Sequence, residues 1–456
     1  MAFIGYPIDT PVSPTCISQD AGDNSSNNIT YGEEAWWPDG NIVFCSYMKV
    51  VSGVQQIFVN KSYTGGVTWE TPEQVTSGNY HKYGSSCCMD VHGCGLHLVY
   101  SACGYGATAG KRANQSIIYQ FRDADGVWSI ETIIQLPYTA STWNDSTHPC
   151  IALDSSGNVH LVYSWGINFS IITGRTVYVV VYRKYNGVDW NTKAAFLYGG
   201  NEQYSDRPNI QVDYYGNPHV VMHIKQPTPS FYSTTYSTVW IANLQQGHID
   251  GWPGTRPVPA YPWYCKGWLS DTINSHVLCT KLYTGTPPSS FHHPSYYCRL
   301  SLSHSSVGDN CYYDGANEYD YPHCVYDFNY GDTIYTVGTY YTWKDDSGWH
   351  DELISASPSS SPSPSIAINP DGKIHTIIQE PVVPAKYDYR QRVTYDEMWG
   401  AKVSISELIA PRQLVQRYPV QYPMDVMQCS PFIAVQGSSL KFFKCPDVVT
   451  GYGYFM

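Results

Sequence analysis

The sequence predicts an all-β fold assembled from repeated antiparallel sheets, on three observations. The composition is rich in aromatic side chains and poor in charge. One short motif recurs along most of the chain, and the stretches between its copies each have room for about four short strands.

Aromatic residues make up 15% of the 456 residues and charged residues only 14%, with 41 Tyr against 13 Phe. Exposed helices are built from Glu, Lys, Arg, Ala and Leu, so this balance favours strands. The formal charge is −12 and there is no basic run, which removes the electrostatic footprint of a nucleic-acid binder. A hydrophobic content of 43% argues against disorder. The longest apolar run, residues 177–182, falls far short of the roughly 20 residues of a membrane span. Residues 1–15 carry three prolines and neither Lys nor Arg, unlike a secretory signal. The expectation is a soluble chain with no membrane insertion.

The motif is clearest where Pro149-Cys-Ile-Ala-Leu-Asp154 runs through Gly157 into His160-Leu-Val-Tyr163. Pro208 to Asp213 leads likewise into Gly216 and His219, and Pro364 to Asn369 into Gly372 and His375. Pro322 to Asp327 leads into Gly331, and Pro431 to Gln436 into Gly437. Ser85 to Asp90 precedes Gly93 and His97 without the proline, and Trp37-Pro-Asp-Gly40-Asn-Ile-Val-Phe44 has the same outline. Proline opens a strand where its missing N–H faces outward. Asp or Asn with Gly three residues later is the residue choice of a type I turn, after which an alternating strand returns. A third strand ends in a Gly–Trp turn, as at Gly126-Val-Trp128, Gly187-Val-Asp-Trp190 and Gly348-Trp349, and a more polar fourth follows.

Four antiparallel strands per unit, repeated at about 40 to 65 residues, predict one β-propeller spanning residues 1–456. Units begin near residues 36, 85, 149, 208, 270, 322, 364 and 431. That gives eight blades, with seven as the alternative. The unit from 270 to 320 matches least, and its strands are expected at 275–282 and 295–303. The last start leaves too few residues for four strands. Residues 1–35 are therefore expected to supply the outer strand of the blade formed by residues 431–456, closing the ring and tying down both segments. The Ser/Pro run at 355–365 resembles a linker, but the repeat resumes at Pro364, which favours a crossover within one domain. The 14 cysteines form no Cys-x-x-Cys pair and are expected as small buried hydrophobes on strands. Cys429 and Cys445, facing each other across one hairpin, leave a disulfide open.

Lys61-Ser-Tyr-Thr64-Gly-Gly-Val-Thr-Trp69 resembles the Asp-box turn Ser-x-Asp-x-Gly-x-x-Trp, with Thr64 at the Asp position. Together with the Asp-x-x-Gly-x-x-His units, it makes the chain similar to the sialidase-like (Asp-box, BNR-type repeat) β-propellers, a group that includes some polysaccharide lyases. The resemblance implies the fold, since the Asp box is a structural turn in that group. Sialidase chemistry uses three arginines clamping a carboxylate, a Tyr–Glu pair and an acid. Only Arg207 falls on a plausible arginine position, so a sialidase is not expected.

In a propeller, the segment leading into each innermost strand lies at one mouth of the central channel. Here those segments are His81 to Tyr83, Asn144 to His148, Tyr204 to Arg207 and Asp320 to His323. The candidate ligand-binding rim is thus Tyr83, Asp145, His148, Asp206, Arg207, Tyr321 and His323, with no committed catalytic residue. Lyase chemistry needs a cation for the uronate carboxylate and His or Tyr to move protons, roles open to His148, Arg207 and Tyr321. The recurring His97, His160, His219 and His375 share one place in the repeat. They are expected to pack blades or bond turns rather than converge on a metal, and no cofactor is expected.

The leading functional expectation is a non-enzymatic binding or structural propeller outside the cell. It would be displayed on a virion (phage tail, fibre or capsid surface) or another extracellular assembly. Its partners would be a glycan or cell-surface polysaccharide, or identical or other structural subunits. The alternative is a polysaccharide lyase or glycoside hydrolase working at the rim.

Overall fold

The structure is a computed structural model. It describes the strands named below and the connecting residues 52–53, 63–64, 68–72, 75–81, 90, 95, 103, 123–131, 154–158, 186–190, 364 and 399. The chain begins with β1 (Thr15–Cys16), followed by a sheet of β2 (Asn28–Glu33), β3 (Asn41–Val51), β4 (Val54–Ser62) and β5 (Glu73–Gln74). The second sheet is β6 (Lys82–Met89), β7 (Leu96–Ala102), β8 (Ser116–Arg122) and β9 (Thr132–Gln135). The third is β10 (Ser146–Leu153), β11 (Val159–Asn168), β12 (Thr176–Tyr185) and β13 (Ala195–Leu197). A fourth holds β14 (Tyr204–Val212), β15 (Pro218–Pro227), β16 (Thr235–Asn243), β17 (Trp263–Gly267) and β18 (Val277–Lys281).

The fifth sheet contains β19 (Cys298–Ser303), β20 (Cys311–Asp314), β21 (Asn317–Phe328), β22 (Gly338–Asp345) and β23 (Gly348–Ala356). The sixth is β24 (Ser365–Ile368), β25 (Ile374–Glu380), β26 (Lys386–Arg392) and β27 (Val403–Ile405). The last joins β28 (Ala410–Leu414), β29 (Phe432–Gln436) and β30 (Ser439–Phe443) to β1, Thr15 pairing with Phe442 and Cys16 with Lys441. The described residues contain strands, turns and bends but no helix. The fold is an all-β propeller.

Hydrophobic packing between successive sheets forms the core. Strand β7 is buried along its length from Leu96 to Ser101 because it is covered on both faces. Leu96, Leu98 and Tyr100 join Ile42, Phe44 and Ile57 of the first sheet, while Val99 joins Ile151, Leu153 and Leu161 of the third. The two-residue period of a strand divides its side chains between the two interfaces. Each such aliphatic side chain contributes about 1.5–3 kcal/mol when fully buried.

The Asp-x-x-Gly turn forms as its residues dictate. Asp154 Oδ1 accepts from the N–H groups of Ser156 (3.0 Å) and Asn158 (2.9 Å). Gly157 has φ +80° and donates to the Asp154 carbonyl at 3.0 Å. At the Asp-box-like turn, Thr64 Oγ1 accepts from the Thr68 N–H at 2.8 Å. A hydroxyl there takes the acceptor role that Asp123 Oδ1 plays for the Val127 N–H at 2.7 Å in the next sheet.

The described strands of the expected 270–320 unit are divided between two sheets. β18 closes the sheet begun by β14, and β19 opens the sheet that contains Pro322. Pro322 therefore lies in a second strand, not an innermost one. Its place is tolerated because the ladder to β22 starts only at His323, so Pro322 pairs with Leu302 of β19 alone and no missing N–H interrupts a two-sided ladder. Residues 28–33, expected within the closing segment, instead open the first sheet.

Candidate functional site

Three successive innermost strands break register at the same place. β6 bulges between Tyr83 and Ser86, β10 between Thr147 and Cys150, and β14 between Asp206 and Asn209. In each case two residues stand where the partner strand has one: Gly84-Ser85, His148-Pro149 and Arg207-Pro208. Such bulges re-aim side chains and terminate pairing beside functional sites. The motif prolines read as strand openers thus occupy the second bulge position in β10 and β14, where a ladder N–H is not required.

The first bulge position has an unusual backbone conformation. Gly84 has φ +53° and His148 φ +52°, a left-handed conformation that costs a residue with a Cβ roughly 1–2 kcal/mol. Glycine meets that requirement in β6. In β10 a half-buried histidine holds it, and strain of this kind concentrates at functional sites. The equivalent position in β14 is Arg207. The residues after the bulges fasten the strands to one another: Ser86 Oγ accepts from Ile151 N–H (3.2 Å), and Asn209 Nδ2 donates to Cys150 Sγ (3.4 Å). His148 and Arg207 are therefore placed at matching points of adjacent inner strands.

The segment leading into β6 is held by its neighbours. Gln56 Nε2 donates to the Gly78 carbonyl (2.9 Å), and Thr76 Oγ1 both donates to Gln56 Oε1 (2.8 Å) and accepts from Ile57 N–H (2.9 Å). Lys82, only 5% exposed, donates to the carbonyls of Tyr80 (3.0 Å) and Ser77 (3.4 Å). Burial pulls its pKa down, partly opposed by the charge of Glu131. His81 Nδ1 accepts from Gln55 N–H at 3.3 Å, and its ring stacks on Tyr83 at 5.9 Å and 12°. Residues i and i+2 of an extended segment share a face. That spacing was visible in the sequence, but it did not single out His81 or Lys82.

Of the candidates, Asp145 lies outside the described residues, and Asp206, Arg207 and Tyr321 are placed by backbone alone. Asp206 pairs with His223 immediately before the β14 bulge. Tyr321 and His323 do not belong to an innermost strand. His323 is buried, with Nδ1 2.6 Å from the Tyr341 hydroxyl. It stands with the recurring histidines rather than with the rim, since His97 and His160 make the same bond to Tyr119 (2.7 Å) and Tyr182 (2.8 Å).

His160 Nε2 also meets Asp154 Oδ2 at 3.2 Å, so this histidine bonds the turn as well as packing the blade. Burial holds its pKa down and lowers that of His97 to about 4. Among the described residues no group of three or more His, Cys, Asp or Glu is placed to hold a metal. Cys45, Cys87, Cys88, Cys103, Cys150 and Cys324 are free thiols, all but Cys150 buried. Burial pushes Cys87 up to about 12, so it is an inert core group. Cys429 and Cys445 lie outside the described residues.

No family model matches the chain, and no curated protein does. Solved structures do. An ulvan lyase of polysaccharide lyase family 25 superposes with a TM-score of 0.51 at 10% identity, over 97% of this chain and 96% of its own. An ulvan lyase bound to a GlcA(1-4)Rha3S repeat gives 0.52 at 10% identity, over 95% and 96%. The GH93 α-L-arabinofuranosidase of Fusarium graminearum with arabinobiose gives 0.47 at 11%, over 82% and 94%. The Hadza microbial sialidase Hz136 gives 0.43 at 12%, over 80% of this chain and 65% of its own. The sialidase-like resemblance holds at the level of fold.

The expectation of a non-enzymatic binding or structural protein on a virion is corrected by these matches. The fold of nearly the whole chain is one that the two ulvan lyases also adopt. The low charge and abundant Tyr and Trp suit carbohydrate contact as well as packing, because aromatic rings give contact area at small entropic cost.

Proposed function

We propose that the protein is a polysaccharide lyase acting on a uronate-containing glycan at the propeller mouth where the inner-strand bulges lie. The observation that carries this reading is His148, held at φ +52° one blade from Arg207 at the matching bulge position. In the proposed reaction Arg207 offsets the carboxylate charge, which acidifies the adjacent C5–H. His148 removes that proton, the electron pair forms the C4–C5 double bond, and the C4–O bond breaks. The protonated His148 then returns a proton to the leaving oxygen. A glycoside hydrolase would need two carboxyl groups flanking the bond, whereas the bulge positions carry His and Arg.

A seven-bladed ring supports such a mouth. The described residues form seven sheets. Their inner strands neighbour one another in the order β2, β6, β10, β14, β19, β24, β28, with β28 next to β2. β1 would close the last blade. A polymeric substrate puts the site of action outside the cell.

The test is incubation with uronate and neutral polysaccharides, following ultraviolet absorbance of unsaturated uronates beside release of reducing ends. Absorbance that disappears in folded His148→Ala and Arg207→Ala variants is expected. Reducing ends without absorbance would make the enzyme a hydrolase, and the absence of both would end the enzymatic reading.

A further inference from the structure

The mouth is not walled evenly. β3 and β4 are joined by the two-residue turn Ser52-Gly53, with φ +51° and +81°, a type I′ geometry that reverses the chain with nothing to spare. The corresponding connections in the next two sheets run from 103 to 115 and from 169 to 175. Of the second-to-third-strand connections, those of the first sheet (52–53) and the last (437–438) are the shortest, and the segment beside the first is the one carrying His81 and Tyr83. Gln55, which bonds His81, directly follows the turn strand's first residue, Val54.

The pair is built rather than incidental. Tyr83 packs its inner side against the core between the first and second sheets and stays half-exposed, as does His81. The His81 carbonyl accepts from Cys103 N–H at 2.9 Å, and Lys82 pins the turn before it. Because Nδ1 accepts from Gln55, the neutral ring carries its proton on Nε2. A stacked aromatic face is thus combined with one hydrogen-bond donor on a pre-ordered segment, which lowers the ordering cost of binding. The pair also adjoins the proposed reacting group: Gly84 follows Tyr83, and a Cβ on it would lie 3.8 Å from Pro149 Cδ, the residue after His148.

We propose that the stacked His81–Tyr83 pair is a sugar-binding subsite, taking the pyranose ring next to the one bound at His148, with the short Ser52-Gly53 turn letting the polymer pass out over the first sheet. This rests on the lyase reading for the identity of the neighbouring ring. The aromatic faces take the apolar C–H face of the sugar, and Nε2–H donates to a hydroxyl or carboxylate oxygen. A polymer that continues past the site in this way is cut internally.

The experiment is electrophoresis of the full chain through gels containing alginate, polygalacturonate, ulvan or arabinan. His148→Ala is compared with His148→Ala carrying His81→Ala or Tyr83→Leu, and each variant's folding is checked by thermal melting. Loss of the ring pair should weaken retardation about three- to tenfold, the scale of one aromatic contact. In enzyme with His148 intact, the change should fall on KM for the polymer rather than on kcat. Equal retardation of folded single and double variants, or no retardation of any chain by any of the polymers, would overturn the subsite. Retardation that depends on His81 without any cleavage by the wild type would uphold the subsite and remove the lyase reading, so the two fail separately. Because His81 is half-exposed, its alanine variant reports binding even if Tyr83→Leu fails to fold.

Discussion

The Tyr182 hydroxyl lies 2.8 Å from His160 Nδ1, and the other ring nitrogen of His160 meets Asp154 Oδ2 at 3.2 Å. The order of protons along this chain follows from chemistry. Asp154 is held ionised: burial pushes its carboxyl up, but the bonds from His160 and Asn158 outweigh it and the pKa falls below its usual value. Nε2 therefore donates to the carboxylate, and Nδ1 accepts from the tyrosine. Removing the hydroxyl in Tyr182→Phe leaves a buried nitrogen without its donor. Urea unfolding should show a loss of about 1–3 kcal/mol. A loss below a few tenths would mean that the pair does not order the blade.

Acid should weaken the fold through buried histidines at a pH above the one at which Asp154 contributes. His97 has its folded pKa lowered from 6.5 to about 4, by burial and against the pull of Asp90. A histidine that must stay neutral to remain buried contributes stability above pH 6.5, and that contribution is lost as pH falls towards 4. The size is on the order of 3 kcal/mol, with His160 acting in the same direction. Asp154, whose pKa is also lowered, adds a further loss only below its unfolded value near 3.8. Urea midpoints at pH 7 and pH 4.5 should differ clearly in the wild type and less in His97→Gln. Identical midpoints in the wild type would contradict the buried neutral histidine.

Stability and activity should part company at His148. Replacing it with glycine, the residue that β6 uses at the matching position, relieves the left-handed conformation. Part of the relief is offset by the freer unfolded chain, so the net gain is up to about 1 kcal/mol. Cleavage should be lost at the same time. The reciprocal change, Gly84→Ala, meets nothing nearer than Pro149 Cδ at 3.8 Å, so its cost should be that of φ alone, about 1–2 kcal/mol. A destabilised but active His148→Gly chain would remove the argument from strain.

Glu73 bridges the first and second sheets. Its carboxylate accepts from Trp128 Nε1 (2.6 Å) and Arg122 Nε (3.2 Å). Arg122 is 8% exposed, so Glu73→Ala leaves a nearly buried cation without its acceptor. A loss of about 1–3 kcal/mol is expected, most of it from stranding Arg122 and Trp128 rather than from attraction between charges. The double variant Glu73→Ala, Arg122→Met should recover part of it, and a double variant weaker than either single would refute that account.

Much of the fold was legible because its signals are local. Asp154 and Gly157 mark a turn whatever lies around them, and Pro149 and Pro208 mark inner strands whose ladders a proline would otherwise damage. Pro322 carries the same local signal in a different place, because only the ladder ending at His323 makes a proline acceptable in a second strand. The grouping of β18 and β19 into neighbouring sheets depends on pairings between distant strands, which short-range pattern does not encode. The rim was half legible. His148 and Arg207 were singled out by their place before a proline, but the conformation that distinguishes His148 is a property of the bulge. His81 was placed in a rim segment by its position before an innermost strand, but the bond from Gln55, two strands away, that fixes its tautomer was not legible.

The pairing of Thr15 and Cys16 with Phe442 and Lys441 sets the order of events during synthesis. β1 leaves the ribosome long before its partner β30, so that ladder cannot form until the six sheets between them have been made. Neighbouring sheets can assemble as they emerge, since their strands are close in sequence. β1 alone must wait for a partner made so much later, presenting its unpaired edge to any other nascent chain nearby. A chain lacking β1 should leave the β30 edge open and therefore express as oligomers joined there rather than as an unfolded monomer.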